Sequence, residues 1–157
     1  DVFVHDTLRI FKQEDGYRLS ETKVIVREKN ISRTLNVQEF GEKVDYIVGS
    51  YDLEILTLPR IYKYNVDIKQ DQTTSIVIKQ PGLANIDLPS AGFATLFVYR
   101  NERYEWVKNL NYTKSAKLVL QPGSYMLVFR AKYVNQTEYS KVDYFKIRSG
   151  RSVSVDL

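Results

Sequence analysis

The sequence predicts an all-β protein, organised as two tandem antiparallel β-sandwich domains of immunoglobulin-like or prealbumin-like connectivity, the first over residues 1–80 and the second over residues 81–157. Three observations carry that expectation. Apolar residues recur on alternate positions through many short segments, and no stretch holds them at i, i+3, i+4 and i+7 long enough for a helix. The composition is β-like, with 13% aromatics, twelve Tyr, and abundant Thr, Val and Ile. Finally, the chain repeats itself: Gly49-Ser50-Tyr51-Asp52-Leu53-Glu54-Ile55 returns as Gly123-Ser124-Tyr125-Met126-Leu127-Val128-Phe129.

In chain order, residues 1–12 hold one strand or two, with alternations at Val2/Val4 and Leu8/Ile10. Gln13 to Gly16 reads as a turn, Lys23 to Arg27 as a strand ended by Lys29-Asn30, and Thr34 to Val37 as a further alternation. Val44 to Val48 and the segment ending near Thr57 read as the arms of a hairpin turning at Gly49-Ser50, where glycine supplies a positive φ. Leu58-Pro59-Arg60 breaks the pattern because proline cannot donate to a ladder. Two strands follow, Asn65 to Ile68 and Thr74 to Ile78, around a polar turn at Lys69 to Gln72.

Residues 80–92 contain two of the four prolines and two of the seven glycines and mark the boundary between repeats. Leu83, Ile86 and Leu88 make this segment apolar enough to serve as the first strand of the second repeat. Thr95 to Arg100, a turn at Asn101-Glu102, and Tyr104 to Val107 come next. Lys117 to Leu120 then leads through Gln121-Pro122 into a second hairpin at Gly123. A loop from Lys132 to Lys141 precedes the strands Asp143 to Ile147 and Ser152 to Leu157. Between the copies, Val24 to Arg27 aligns with Leu96 to Tyr99, Tyr51 with Tyr125, and Ile68 with Ile147.

The chemistry-bearing residues are few. Without cysteine there are no disulfides, thiolate metal sites or thiol nucleophiles. The single histidine, His5, has Asp6 as its neighbour, but consecutive strand residues point to opposite faces. Acidic residues are dispersed, and neither a calcium loop nor a phosphate-cradling glycine loop is present, so no cofactor or metal is expected. Residues 1–80 carry 12 Lys/Arg and 13 Asp/Glu, whereas residues 81–157 carry 11 and 6; because these charges alternate with apolar residues, they read as solvated sheet faces and not as a nucleic-acid site. No apolar run is long enough to span a bilayer, and a targeting signal, if the chain has one, lies outside Asp1–Leu157. Three sequons, at Asn30, Asn111 and Asn135, fall where polar turns already favour asparagine. The candidate contact residues are Tyr62, Tyr64, Tyr104 and Trp106, aromatics near turns or strand ends that suit stacking on a sugar or anchoring a protein partner.

The Gly-Ser-Tyr strands and the closing run Tyr144-Phe145-Lys146-Ile147-Arg148-Ser149-Gly150-Arg151-Ser152-Val153 resemble the prealbumin-like, carboxypeptidase-regulatory type of β-sandwich. More narrowly, Gly49 to Leu58, Asn65 to Gly82, Trp106 to Leu110 and Gln121 to Phe129 resemble the tail that follows the von Willebrand factor type A domain in some bacterial envelope proteins, a likeness spanning residues 44–157. The parent domain's Asp-x-Ser-x-Ser metal signature is absent, so metal-dependent adhesion is not implied. The resemblance implies a periplasmic, surface or secreted location and a non-catalytic accessory or spacer role, with a protein partner or the rest of its own polypeptide as the contact. A carbohydrate-binding module using the exposed Tyr and Trp residues, with polysaccharide as ligand, is the alternative expectation, and an enzyme the third.

Overall fold

The computed structural model describes residues 5–12, 22–132 and 140–157, with backbone alone for 5–12. The chain divides into two compact units, Asp1–Gln80 and Pro81–Leu157. Unit 1 holds β1 (His5–Lys12), β2 (Lys23–Glu28), β3 (Asn36–Glu39), β4 (Lys43–Ile47), β5 (Gly49–Ile55), β6 (Ile61–Ile68) and β7 (Thr73–Ile78). These form a three-stranded sheet in the order β4-β1-β7 and a four-stranded sheet in the order β3-β2-β5-β6. Unit 2 holds β8 (Gly82–Asp87), β9 (Gly92–Arg100), β10 (Arg103–Asn109), β11 (Ser115–Leu120), β12 (Gly123–Ala131), β13 (Lys141–Ile147) and β14 (Ser152–Asp156). Its sheets run β11-β8-β14 and β10-β9-β12-β13, the same order strand for strand. There is no helix among the described residues, and the protein is all-β with a β-sandwich architecture.

The expectation of purely antiparallel sheets is corrected. β1 pairs with β7 in parallel, and β8 pairs with β14 in parallel. The first and last strands of each unit share a sheet only after the chain has passed through the other one, so no tight turn forces them to run in opposite directions.

The Gly-Ser-Tyr repeat also has a different meaning from the one its sequence suggests. Gly49 and Gly123 do not start hairpins, and neither has a positive φ; among the described glycines only Gly41 and Gly150 do. β4 pairs with β1 whereas β5 pairs with β2 and β6, so the chain changes sheet at Val48. Likewise β11 pairs with β8, and β12 with β9 and β13. The tyrosine pins this crossing. Tyr51 Oη donates to the Ile47 carbonyl and Tyr125 Oη to the Gln121 carbonyl, each four residues upstream and each at 2.5 Å. Both rings are buried, so the phenol must find a partner inside the protein, and the crossing carbonyl supplies it. The strands expected at Asn65–Ile68 and Thr74–Ile78 flank a real turn, with Asp71 at a φ of 58°, but they too lie in different sheets.

Registers refine the match between copies. Leu53 and Leu127 occupy the same place after the tyrosine, and they pair with Val26 and Leu96 respectively. Val26, not Val24, is therefore the counterpart of Leu96. Gly49 opposite Ile68 and Gly123 opposite Ile147 place Ile68 and Ile147 in equivalent positions.

Alternation generates the core. In unit 1, Val24 and Val26 of β2, Leu53 and Ile55 of β5, Ile68 of β6 and Ile78 of β7 form one cluster with Tyr46 and Tyr51, drawing on both sheets. Fully burying each aliphatic side chain contributes about 1.5–3 kcal/mol. In unit 2 the buried set includes Ile86, Leu96, Leu120, Tyr125, Leu127 and Val155, again from both sheets. The boundary segment does begin the second unit: β8 is the central strand of its sheet and its alternate residues are buried. It opens on Gly82 because a Cβ there would come within 2.6 Å of the Arg148 carbonyl oxygen and 2.7 Å of that of Arg151. Asn101 and Glu102 form the expected turn, with φ values of 52° and 62° that suit a two-residue hairpin between β9 and β10. The turn at Gln13 to Gly16, most of the Lys132–Lys141 loop and the sequon at Asn135 lie outside the described residues.

Candidate functional site

The four aromatics form two pairs, one in each unit, and each pair sits on an edge strand. Tyr62 and Tyr64 are on β6, and Tyr104 and Trp106 on β10, at alternate positions that share one face. All four are exposed. Tyr62 and Tyr64 present parallel rings, 6.2 Å between centroids and 4° between planes.

Around Tyr104 and Trp106 the structure gathers residues that the sequence did not single out. Trp106 lies opposite Phe97, Phe97 opposite Met126, and Met126 opposite Tyr144, so one row crosses all four strands of the sheet. Leu96, Val98, Tyr125 and Leu127 face the core, and the residues between them therefore face outward. Phe97 and Met126 are half-buried, flanked by Trp106 and Tyr144 at 62% and 63% exposure. Beside this row Tyr104 packs against Tyr99, with ring centroids 5.0 Å apart, and against Tyr144 at 6.2 Å. The indole is held in place: Trp106 Nε1 donates to Asn109 Oδ1 at 3.0 Å, and Thr95 Oγ1 donates to the same oxygen at 3.2 Å. Further along the same face, the Arg130 guanidinium lies 5.5 Å from the Phe93 centroid, and Phe93 meets Tyr112 edge-on.

In unit 1 the corresponding outward positions of the two central strands are polar except for Ile25. Arg27 opposes Asp52 where Phe97 opposes Met126, and Ile25 opposes Glu54 where Thr95 opposes Val128. Arg27 Nη1 donates to Glu54 Oε2 at 2.9 Å, and Arg60 Nη1 to Glu54 Oε1 at 2.5 Å. Burial opposes ionisation of Glu54, but the two guanidinium groups outweigh it and hold the carboxyl below its usual range. Asp52 accepts from the backbone N–H groups of Asn30 and Asn65, which sit at φ values of 62° and 56°. Arg27, Asp52 and Glu54 are thereby all engaged within the unit.

His5 and Asp6 are consecutive positions of β1, and their side chains lie outside the described residues. Among the described residues no group of three His, Cys, Asp or Glu side chains is placed to hold a metal, and no helix is long and apolar enough to cross a membrane. The Asn111 side chain is engaged by the fold, its Oδ1 accepting from the Ala94 N–H at 3.2 Å.

No family model matches the chain, and no curated protein matches it. Among solved structures the chain is similar to the Bacillus anthracis TIE protein, at 15% identity and a TM-score of 0.37. The match covers 98% of this chain and 34% of that one, and it is too loose to transfer fold or function.

Proposed function

We propose that the protein is a pair of tandem prealbumin-like sandwiches acting as a non-catalytic interaction module of a bacterial envelope or secreted protein, with the outward face of β9, β10, β12 and β13 as its contact surface. The strand order favours prealbumin-like over immunoglobulin-like connectivity. In constant-type immunoglobulin domains the first strand lies beside the second, whereas here it lies between the fourth and the last. The observation that carries the functional reading is the row Trp106–Phe97–Met126–Tyr144. Exposed contiguous apolar surface of this kind marks contact sites, and Trp, Tyr and Met are the side chains that interfaces concentrate. The partner is another protein or a different part of the same polypeptide.

A photoreactive residue placed at Tyr144 or Tyr104 is expected to give cross-links to a polypeptide in the source cells, and one at Glu28 in unit 1 is not. Equal labelling from both units would count against a dedicated face. The parallel rings of Tyr62 and Tyr64 favour the second reading, a carbohydrate-binding module, since parallel rings suit stacking on sugars. Saturable glycan binding lost in Tyr62→Ala/Tyr64→Ala or in Trp106→Ala would support it.

A further inference from the structure

Resting on that interaction reading, we infer that the outward face of the unit 2 sheet docks an acidic polypeptide segment, one presenting apolar side chains flanked by carboxylates. The first argument is charge. Among the described residues, the outward positions of β9, β10, β12 and β13 carry no Asp or Glu. Cations stand on both sides of the apolar row instead. Lys146, opposite Ser124, lies two residues from Tyr144 on the same face. On the opposite side of the row, further along the strands, the Arg130 guanidinium lies over Phe93 at 5.5 Å from the ring centroid. The nearest acid of β10, Glu105, is occupied by Arg100, Arg103 and Asn101. An apolar surface whose outward strand positions carry Arg130 and Lys146 but no acid complements a partner with carboxylates around an apolar centre.

The same charges argue against a second copy of this chain on the same face. An isologous contact brings each patch against itself, so in either orientation Arg130 or Lys146 of one copy would lie against Arg130 or Lys146 of the other.

The second argument is shape, and it selects a polypeptide over an acidic polysaccharide. Ring planes on this face are tilted by 57° between Tyr99 and Tyr104, 50° between Tyr104 and Tyr144, and 63° between Phe93 and Tyr112. Met126 and Val128 fill the ground between them. Such a corrugated surface of rings and flexible side chains accepts individual side chains as knobs, whereas it offers no parallel rings for successive sugars.

The test is selection of displayed short random peptides on the full chain, followed by fluorescence anisotropy with the selected peptide. Enriched peptides are expected to carry aromatic or aliphatic residues beside Asp or Glu, and to bind about tenfold more weakly when ionic strength rises from ~0.05 to ~0.5 M. Trp106→Ala and Tyr144→Ser, both at exposed edge positions, should each abolish enrichment while leaving the melting midpoint unchanged. Arg130→Glu/Lys146→Glu should turn the selection toward Lys- and Arg-bearing peptides. Peptides lost with Trp106→Ala but showing no acidic bias and no response to charge reversal would overturn this inference and leave the interaction reading standing. Selection indifferent to Trp106→Ala and Tyr144→Ser, or none at all, would overturn both. Saturable polygalacturonate binding in place of peptide enrichment would overturn the polypeptide assignment.

Discussion

The outward faces of the two four-stranded sheets occupy the same positions in the same strand order, yet they solve opposite problems. In unit 1 the centre of the face is closed on itself, with Arg27, Arg60 and Glu54 paired and Asp52 satisfying two backbone amides, and Tyr62 and Tyr64 stand exposed only at its β6 edge. In unit 2 the equivalent positions hold Phe97, Met126 and Val128, and the polar Thr95 among them is bonded to Asn109. The contrast extends inward. Tyr46 of unit 1 donates to Gln38 Oε1 and accepts from Asn36 Nδ2, tying β4 to β3. The residue five positions before Tyr125, where Tyr46 stands before Tyr51, is Leu120, which is fully buried. One unit thus spends polar side chains on its own integrity, and the other keeps an apolar surface that costs solubility unless something covers it. A fold that accepts both solutions is specified by its inward alternation and its crossings, leaving the outward positions free to differ.

The largest effect expected from altering this contrast is at Glu54. Glu54→Val installs the unit 2 residue in unit 1 and leaves two guanidinium groups without their carboxylate, of which Arg27 is only 25% exposed. A loss of about 2 kcal/mol is expected from chemical denaturation, below the cost of orphaning a fully buried charge because Arg60 reaches water. A change under about 0.5 kcal/mol would mean that the polar network does not hold the face together.

Next come the crossings, which both units share. Tyr51→Phe and Tyr125→Phe each remove one phenol oxygen and leave the Ile47 or Gln121 carbonyl without that donor. Each should cost about 1–2 kcal/mol, with Tyr125→Phe the costlier because its ring is the more deeply buried. Burial also pushes both phenols above their ordinary range, Tyr125 much further. Equal losses would say that the two crossings are energetically interchangeable, and a negligible loss in both would remove the tyrosine as the reason for the repeat.

These crossings show how much the sequence made legible. Strands were readable because a half-buried strand writes its period directly, as in Val24/Val26 and Leu53/Ile55. The joins were not readable, since a hairpin and a change of sheet both appear as strand, Gly-Ser, strand. The distinguishing sign was the tyrosine two residues after the glycine, whose reach back to the fourth residue upstream is a three-dimensional fact. At the candidate site Tyr104 and Trp106 stood out as aromatics by a turn, while Tyr99, Phe97, Met126 and Tyr144 did not. Their signal was the near-continuous apolar character of Phe93 to Tyr99 and Tyr125 to Phe129, which makes a strand apolar on both faces. In β5 the same positions alternate with Asp52 and Glu54, and that difference between copies was already in the sequence.

The smallest expected effect concerns acid. Among the described residues each unit has one carboxyl group held below its usual range by arginine, Glu54 in unit 1 and Glu105 in unit 2. Hydrogen bonds from Arg100 and then Asn101, with Arg103 adding to them, bring the Glu105 carboxyl down to about 2. A group whose folded pKa lies below its unfolded value of about 4.3 stabilises the protein above that unfolded value. Its contribution is then lost as pH falls toward the folded one. Acid should therefore weaken both units between about pH 4.5 and 2. Glu54 should account for more of the loss, because its pair is partly shielded from water whereas the Glu105 pair is solvated and screened by salt. NMR titration of the Glu105 side-chain carboxyl carbon should give a midpoint near 2. Glu105→Gln should flatten the acid limb of a melting-temperature profile only slightly, and Glu54→Gln more. A Glu105 midpoint at the ordinary glutamate value would show that Arg100 and Arg103 do not hold it in solution, and would free an acid beside the aromatic face that the docking inference requires to be occupied.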